Sequence, residues 1–220
     1  MYNIAIDGPA GAGKSTIAKA VAKKLDFIYV DTGAMYRAIA LYLIRNNISG
    51  DDEKAISEAV KDIDVSIEYV GGEQRVLLNG ENVNDFIRTE QVSMMTSDSS
   101  KYPEVRKKLT SLQQKLASEK DVIMDGRDIG TCVLPNAGTK IYLTASSKER
   151  ARRRYKEQLE RGVECDIHQI ERDIIARDEQ DMNRPVAPLK QAEDAVLVDS
   201  SDMTPEQVID RIIEIFEETK

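Results

Sequence analysis

The sequence is poor in cysteine and histidine. It has two cysteines, Cys132 and Cys165, one histidine, His168, and no C-x-x-C pair. A disulfide framework or a zinc site needs more such residues at closer spacing. We therefore expect two reduced thiols, and we expect His168 to be a solvated side chain near the start of a helix.

Long apolar segments are also missing. The longest apolar run, from Ala38 to Ile44, covers seven residues, whereas a transmembrane helix needs about 20. The N-terminus, Met1 to Ile4, lacks the basic and apolar regions of a signal peptide. These absences predict a cytoplasmic protein with no membrane partner.

Basic residues are outnumbered by acidic ones, and the net charge is -8. This balance argues against a general nucleic-acid or membrane-surface binder. Eight of the fifteen arginines nevertheless fall between Arg150 and Arg184. A basic segment within an acidic protein favours a small polyanionic ligand.

Short apolar segments alternate with helical patterns along the chain. This alternation is typical of an α/β fold, here a five-stranded parallel sheet covered by helices on both faces. The start of the last helix is predicted by Thr204 and Gln207, which form a capping box, and by Pro205 at its first position. The predicted strands are Tyr2 to Asp7, Phe27 to Asp31, Asp121 to Asp125, Lys140 to Thr144 and Ala195 to Asp199, and the first two helices are Lys14 to Leu25 and Ala34 to Arg45.

One stretch breaks the alternation, because three short strands follow one another with only turns between them. It predicts a small antiparallel lobe inserted at about residues 62–100, with Met94 and Met95 filling its core. An edge extension of the main sheet is the open alternative. The strands are Val65 to Val70, Arg75 to Leu78 and Asn82-Val83, and the turns are Gly71-Gly72 and Asn79-Gly80.

A phosphate-binding motif follows the first predicted strand and opens the first helix. It matches G-x-x-x-x-G-K-[ST], in which backbone N–H groups cradle a polyphosphate at a helix N-terminus. Lys14 would reach the β- and γ-phosphates, and the Ser15 hydroxyl would bind Mg²⁺. The predicted ATP-binding residues here are Gly8, Pro9, Ala10, Gly11, Ala12, Gly13, Lys14, Ser15 and Thr16.

Arginines follow the predicted strands, where an open α/β sheet binds its ligands. Arg37 ends D-T-G-A-M-Y-R, and Arg127 lies in D-G-R-D. A kinase needs such cations to hold an acceptor anion in line with ATP. A guanine-specific GTPase would normally carry N-K-x-D, which is missing. Solvated surface charges are the alternative for any single arginine.

Two further arginine groups lie in the basic segment. Arg177, Asp181 and Arg184 share one face of a helix that Asp166 caps, and they suit phosphate and ribose contacts or an ordinary salt-bridged surface. Pro185 ends that helix. Upstream arginines flank a glycine and predict a mobile lid over the ATP phosphates, with Arg153 binding ATP. These are Arg150, Arg152, Arg153, Arg154 and Arg161, beside Gly162.

Four motifs together resemble the bacterial cytidylate kinases, the (d)CMP kinases of the nucleoside monophosphate kinase superfamily. They are I-D-G-P-A-G-A-G-K-S-T, D-T-G-A-M-Y-R, D-G-R-D-I-G-T and R-D-E-Q-D-M-N-R-P-V-A-P-L, and the likeness covers nearly the whole chain. The resemblance implies transfer of the γ-phosphoryl group of ATP to CMP or dCMP with Mg²⁺. It also implies catalysis by Lys14, Arg127, Asp128 and Arg184.

The resemblance implies roles for the acceptor-binding residues as well. Ser97, Arg106 and Asp128 would read cytosine, although Thr96, Ser99 and Ser100 lie close to Ser97 in the sequence. Arg37, Arg127 and Arg184 would meet the acceptor phosphate. Arg177 and Asp181 would hold the sugar and the adjoining charge. Thr32 stands where relatives often carry serine, and Tyr36 completes the implied substrate site.

The same resemblance divides the chain into a core, a lobe and a lid. The core would comprise 1–61, 101–147 and 185–220, the monophosphate-binding lobe about 62–100, and the lid about 148–184. We expect a monomer whose partners are ATP and CMP or dCMP, with no nucleic acid bound. A kinase for UMP, dTMP or a small metabolite remains open, as does a nucleotide-dependent regulatory switch.

Overall fold

The structure is a computed structural model that describes residues 1–71 and 73–220, without the side chain of Glu73. Strands and helices alternate over most of its length. In chain order they are β1 Asn3–Asp7, α1 Lys14–Leu25, β2 Ile28–Asp31, α2 Thr32–Arg45, α3 Glu53–Asp62, β3 Val65–Val70, β4 Glu73–Leu78, β5 Glu81–Asn82, α4 Glu90–Ser99, α5 Pro103–Glu119, β6 Val122–Gly126, a turn of π-helix Ile129–Val133, β7 Thr139–Thr144, α6 Ser147–Glu160, α7 Ile167–Asn183, β8 Val196–Asp199 and α8 Pro205–Thr219.

The strands form two separate sheets. Five make a parallel sheet in the order β2-β6-β1-β7-β8, and three make an antiparallel sheet in the order β3-β4-β5. The predicted α/β fold is thus confirmed, and the alternative of an edge extension of the main sheet is wrong. The turn at Asn79-Gly80 is confirmed by positive φ angles of 49° and 84°, whereas the predicted turn at Gly71-Gly72 includes Gly72, outside the described residues.

The chain divides into two compact units. The first comprises Met1–Tyr29 and Lys120–Lys220, and the second comprises Val30–Glu119. The predicted division into core, lobe and lid is a functional one and stays a prediction.

The core of the first unit lies between its sheet and two helices. Ile4, Ile6 and Ile123 come from adjacent central strands, and they pack with Val21 of α1 and Ile212 of α8. Burial of this kind contributes about 25 cal/mol per Å² of apolar surface, so it is the main force that holds the strands in place. No helix in the described part of the chain is long and apolar enough to cross a membrane.

The second unit has a core of its own. Met35, Ile39 and Leu43 of α2 are fully buried, and so is Leu109 of α5, which packs against α2. The prediction that Met94 fills this core is wrong, since its side chain is 64% exposed. Met94 follows the buried Val92 by two positions, which turns it about 200° around α4.

Two predicted helix starts are confirmed by their caps. The Thr204 N–H donates to Gln207 Oε1 at 2.8 Å, and the Gln207 N–H donates to Thr204 Oγ1 at 3.3 Å. At the start of α7 the Asp166 carboxylate accepts from the His168 N–H at 2.9 Å. These three contacts satisfy N–H groups at the helix starts that have no partner within the helix.

Candidate functional site

The loop between β1 and α1 has the backbone of a phosphate cradle. Gly8 has a φ of 149°, and a Cβ there would lie 1.9 Å from the Leu143 carbonyl oxygen of β7. Gly13 precedes the helix with a φ of 87°. No other residue fits at Gly8, and Gly13 takes a left-handed conformation that L side chains rarely adopt. The loop therefore closes tightly, and its N–H groups and the N-terminus of α1 are suited to binding an anion.

Lys14 is the first residue of α1, and its side chain is only 6% exposed. Its Nζ donates to the Pro9 carbonyl oxygen at 2.7 Å. Burial and the nearby Arg127 charge together lower the pKa of Lys14 to about 7, against the opposing carboxylates of Asp125 and Asp7. A polyphosphate beside Nζ would restore the charged form.

This pKa predicts that nucleotide binding takes up a proton. At pH 8 Lys14 would be largely neutral in the free protein, and a bound ADP or ATP would draw it into the ammonium form. Calorimetric titration with ADP at pH 8 should then give enthalpies that differ between buffers of high and low ionisation enthalpy. Lys14→Met is the control, and an enthalpy independent of buffer in the unaltered protein would contradict the prediction.

Ser15 and Asp125 form a second part of this site. The Ser15 hydroxyl donates to Asp125 Oδ2 at 2.9 Å, and the Tyr29 hydroxyl donates to Asp125 Oδ1 at 2.7 Å. In the described residues no cluster of three or more Asp, Glu, His or Cys side chains could hold a metal ion. Mg²⁺ that arrives with a nucleotide needs only one or two protein oxygens, so Ser15 and Asp125 fit that ion.

Asp7, at the end of β1, holds the segment that follows β6. Its two carboxylate oxygens accept from the backbone N–H groups of Ile129 and Gly130, each at 2.7 Å. These contacts fix the π-helical turn next to Arg127 and Asp128. Burial raises the pKa of Asp7 to about 6, against the lowering effect of the two N–H donors.

The raised pKa of Asp7 predicts a pH dependence of stability. Between about pH 4 and pH 6 the folded protein keeps a proton that the unfolded chain releases, so stability falls as the pH rises through this window. The change from 3.8 to about 6 corresponds to about 3 kcal/mol. Denaturant unfolding should be measured for the unaltered protein and for Asp7→Asn at pH 4 and at pH 7. The difference between their free energies of unfolding should change by up to this amount, and the protein with Asp7 should be relatively more stable at pH 4. A constant difference would contradict the prediction.

Two ion pairs join the D-G-R-D motif to α7 and its exit. Arg127 Nε donates to Asp181 Oδ2 at 2.8 Å, and Arg184 Nη2 donates to Asp128 Oδ1 at 3.1 Å. Arg184 also donates to the Ala187 carbonyl and has an extended ψ of 140°, as expected before a proline. The structure thus brings together four predicted site residues from two distant motifs.

Arg177 lies on α7 beside this pair of contacts. Burial lowers the pKa of its guanidinium, and the Arg127 charge acts in the same direction. The Asp181 carboxylate opposes both effects. A partly buried cation next to another cation suits an anionic ligand, which would relieve their repulsion.

The predicted lid arginines fall into two kinds. Arg153 donates to the carbonyl oxygen of Ser200 at 2.7 Å and to the Ser200 hydroxyl oxygen at 3.2 Å. The Nη1 atom of Arg153 lies 3.9 Å from where a Cβ of Gly13 would be. Arg153 therefore lies beside the phosphate cradle, where a contact with ATP is predicted. Arg150 is instead buried and bound to protein groups, so it is not an exposed lid residue.

The second unit holds the other predicted site residues. Thr32 begins α2, and Asp31 caps that helix by accepting from the Ala34 N–H at 2.9 Å. The guanidinium of Arg106 lies over the Tyr36 ring at 5.7 Å and donates to the Ser100 carbonyl at 3.2 Å. Arg37 donates to the Ile87 carbonyl at 3.5 Å. The hydroxyls of Thr96, Ser99 and Ser100 donate to carbonyls of α4.

Sequence reasoning gave no role to Asp7, Asp125 or Asp178. Asp7 and Asp125 end buried strands, and that position was the available signal, because strand ends meet the ligand in such sheets. Asp178 carried no signal, since acidic residues on a helix are usually solvated.

A parallel sheet with a phosphate loop after its central strand, a buried loop lysine and arginines held by aspartates defines a P-loop kinase. The chain belongs to the cytidylate kinase family, whose model matches residues 4–218. It is 54% identical over 214 residues to the cytidylate kinase of Caldicellulosiruptor saccharolyticus, covering 97% of this chain and 95% of that one. It is 49% identical to that of Carboxydothermus hydrogenoformans, covering 96% of each.

The chain is also similar in fold to solved structures of low sequence identity. A sugar kinase from Janibacter sp. HTCC2649 superimposes with a TM-score of 0.50 at 13% identity, covering 99% of this chain and 95% of that one. At this identity the comparison supports the α/β architecture and says nothing of the substrate.

Proposed function

We propose that the protein transfers the γ-phosphoryl group of ATP to CMP and dCMP, giving ADP and the nucleoside diphosphate. Family membership and relatives named cytidylate kinase support this reaction. The observation that carries it is the meeting of the two arginine–aspartate motifs, Arg127 with Asp181 and Asp128 with Arg184. We also propose a monomeric state and a cytoplasmic location, and the ATP requirement and the two free cysteines agree with that location.

The cradle and Lys14 would bind the donor. The backbone N–H groups of residues 8–16, except Pro9, which has none, would hold the phosphates, and Lys14 would neutralise charge that develops on the transferred group. Mg²⁺, held through Ser15 and Asp125, would neutralise further charge on the phosphate oxygens. Arg153, whose Nη1 lies 3.9 Å from where a Cβ of Gly13 would be, would contact the same nucleotide.

Arginines would orient the acceptor monophosphate. Each guanidinium has five N–H donors, so Arg127 and Arg184 can keep their aspartates and still donate to phosphate oxygens. Arg177 and Asp181 would hold the sugar and adjoining charge, and Arg37, Thr32 and Tyr36 keep their roles in acceptor binding. The attacking oxygen is already anionic, so positioning and charge neutralisation suffice and no general base is needed.

Cytosine recognition would rest on Asp128, Arg106 and Ser97. A carboxylate at Asp128 would accept from the exocyclic amine of cytosine, which uracil lacks.

An ADP-release assay across monophosphates tests the proposal. CMP and dCMP should give the highest kcat/KM, and uridine and thymidine monophosphates should lag by about 10²-fold or more, because they leave the buried acceptor unpaired. Turnover of dTMP comparable to that of CMP would favour a different monophosphate kinase. ATP consumption that no monophosphate stimulates would favour the regulatory switch.

A further inference from the structure

Arg150 lies in the first turns of α6 and is unlike the other arginines of that helix. Its side chain is 5% exposed, and it contacts three separate parts of the first unit. Nε donates to the Ala145 carbonyl at 2.8 Å, Nη1 donates to the Ala10 carbonyl at 3.0 Å, and Nη2 pairs with Asp178 Oδ2 at 2.7 Å. By contrast, Arg152 and Arg161 are exposed and pair within α6 or its end.

The three partners have different positions in the fold. Ala10 lies in the phosphate cradle, Ala145 follows β7, and Asp178 lies on α7 next to Arg177. The Arg150 stem also lies 3.5 to 4.0 Å from where a Cβ of Gly11 would be. One side chain therefore connects the cradle with the helix that carries Arg177 and Asp181.

The contact with Ala10 has a direct consequence for anion binding. A cradle that turns its N–H groups toward phosphate must turn its carbonyls away, and a buried carbonyl needs a donor there. Arg150 supplies that donor for Ala10. Without it, the carbonyl would seek another donor, and the loop would lose the conformation that suits a polyphosphate.

Asp178 holds the Arg150 guanidinium in place through an ion pair. Its side chain is only 12% exposed, and its Oδ1 has no hydrogen-bond partner in the described residues. A buried carboxylate with one oxygen unsatisfied is costly, and the Arg150 charge compensates for it. The Arg150–Asp178 pair is therefore a buried ion pair of the site and not a surface salt bridge.

We propose that Arg150 is a positioning residue for the phosphoryl donor. Held by Asp178, it fixes the Ala10 carbonyl outward and ties the cradle to α7. The effect on the KM for ATP rests on the proposed kinase function, whereas the effect on ADP affinity does not. ADP binding alone reports the state of the cradle.

The test compares Arg150→Lys and the double variant Arg150→Met/Asp178→Asn with the unaltered protein. The double variant removes both charges together, so no buried carboxylate is left unpaired if Arg150→Met alone fails to fold. Arg172→Met is the matched control, because Arg172 is an exposed arginine on α7 that bonds to Gln169 of its own helix. Thermal unfolding checks that each variant is folded.

We expect the double variant to bind ADP about tenfold or more weakly and to raise the KM for ATP more than the KM for CMP. Arg150→Lys should be intermediate, since it keeps the charge but not three directed contacts. Arg172→Met should match the unaltered protein. A general structural role would instead weaken both substrates alike.

A folded double variant, or a folded Arg150→Lys, with unchanged ADP affinity and unchanged KM for ATP would overturn the proposal. Failure of the kinase function would look different. The unaltered protein would then bind ADP but phosphorylate no cytidine monophosphate, and the ADP affinities of the variants would still decide the role of Arg150.

Discussion

Lys14→Met is expected to lower kcat for CMP phosphorylation about 10³-fold, with a smaller effect on the KM for CMP. Lys14 is the buried cation of the cradle, and its charge is needed most when negative charge moves onto the transferred group. Methionine has a similar length, so the cradle should keep its shape. Steady-state rates at saturating ATP and CMP provide the measurement.

Lys14→Arg should not rescue this loss. The Lys14 ammonium is buried beside the Arg127 charge, and a larger guanidinium would meet more repulsion and less space. Activity of either variant within tenfold of the unaltered protein would show that Lys14 does not stabilise the transition state.

Asp128→Asn is expected to remove the preference for cytosine over uracil. An amide at this position would offer N–H donors to the uracil O4, and it would lose the full negative charge that favours the cytosine amine. We expect kcat/KM for CMP to fall about 10²-fold or more, while the value for UMP stays level or rises. The two acceptors should be compared in the same ADP-release assay.

Arg184 provides the control for this experiment. Asp128 pairs with Arg184 at 3.1 Å. A change at Asp128 could therefore lower activity by displacing Arg184, without any part of Asp128 in reading the base. Arg184→Met should weaken CMP and UMP equally, because both carry the same phosphate. If Asp128→Asn also lowered both equally, its assigned part in reading the base would be wrong.

Much of the fold could be predicted from local sequence patterns. The bounds of α1 agree with its apolar spacing, and the caps of α7 and α8 follow from short-range hydrogen bonds. The separate antiparallel sheet was predicted from its turns. Such signals involve neighbouring residues, so they survive without knowledge of the tertiary structure.

The contacts that shape the site could not be predicted in this way. Asp7 bonds to Ile129 and Gly130, and Arg150 bonds to Ala10. These partners lie more than 100 positions apart, and no periodicity links them. Met94 shows the same limit on a smaller scale, because which side of α4 is covered depends on packing and not on the apolar character of one residue.

The position of β1 at the centre of its sheet has a consequence for synthesis. Its two neighbours, β6 and β7, begin at Val122 and Thr139. While the chain is being made, the first strand therefore leaves the ribosome long before either neighbour exists, and its apolar residues stay unpaired until then. The nucleotide-binding segment precedes both of these neighbours in the chain, so its strand should acquire them only after β6 and β7 have been made.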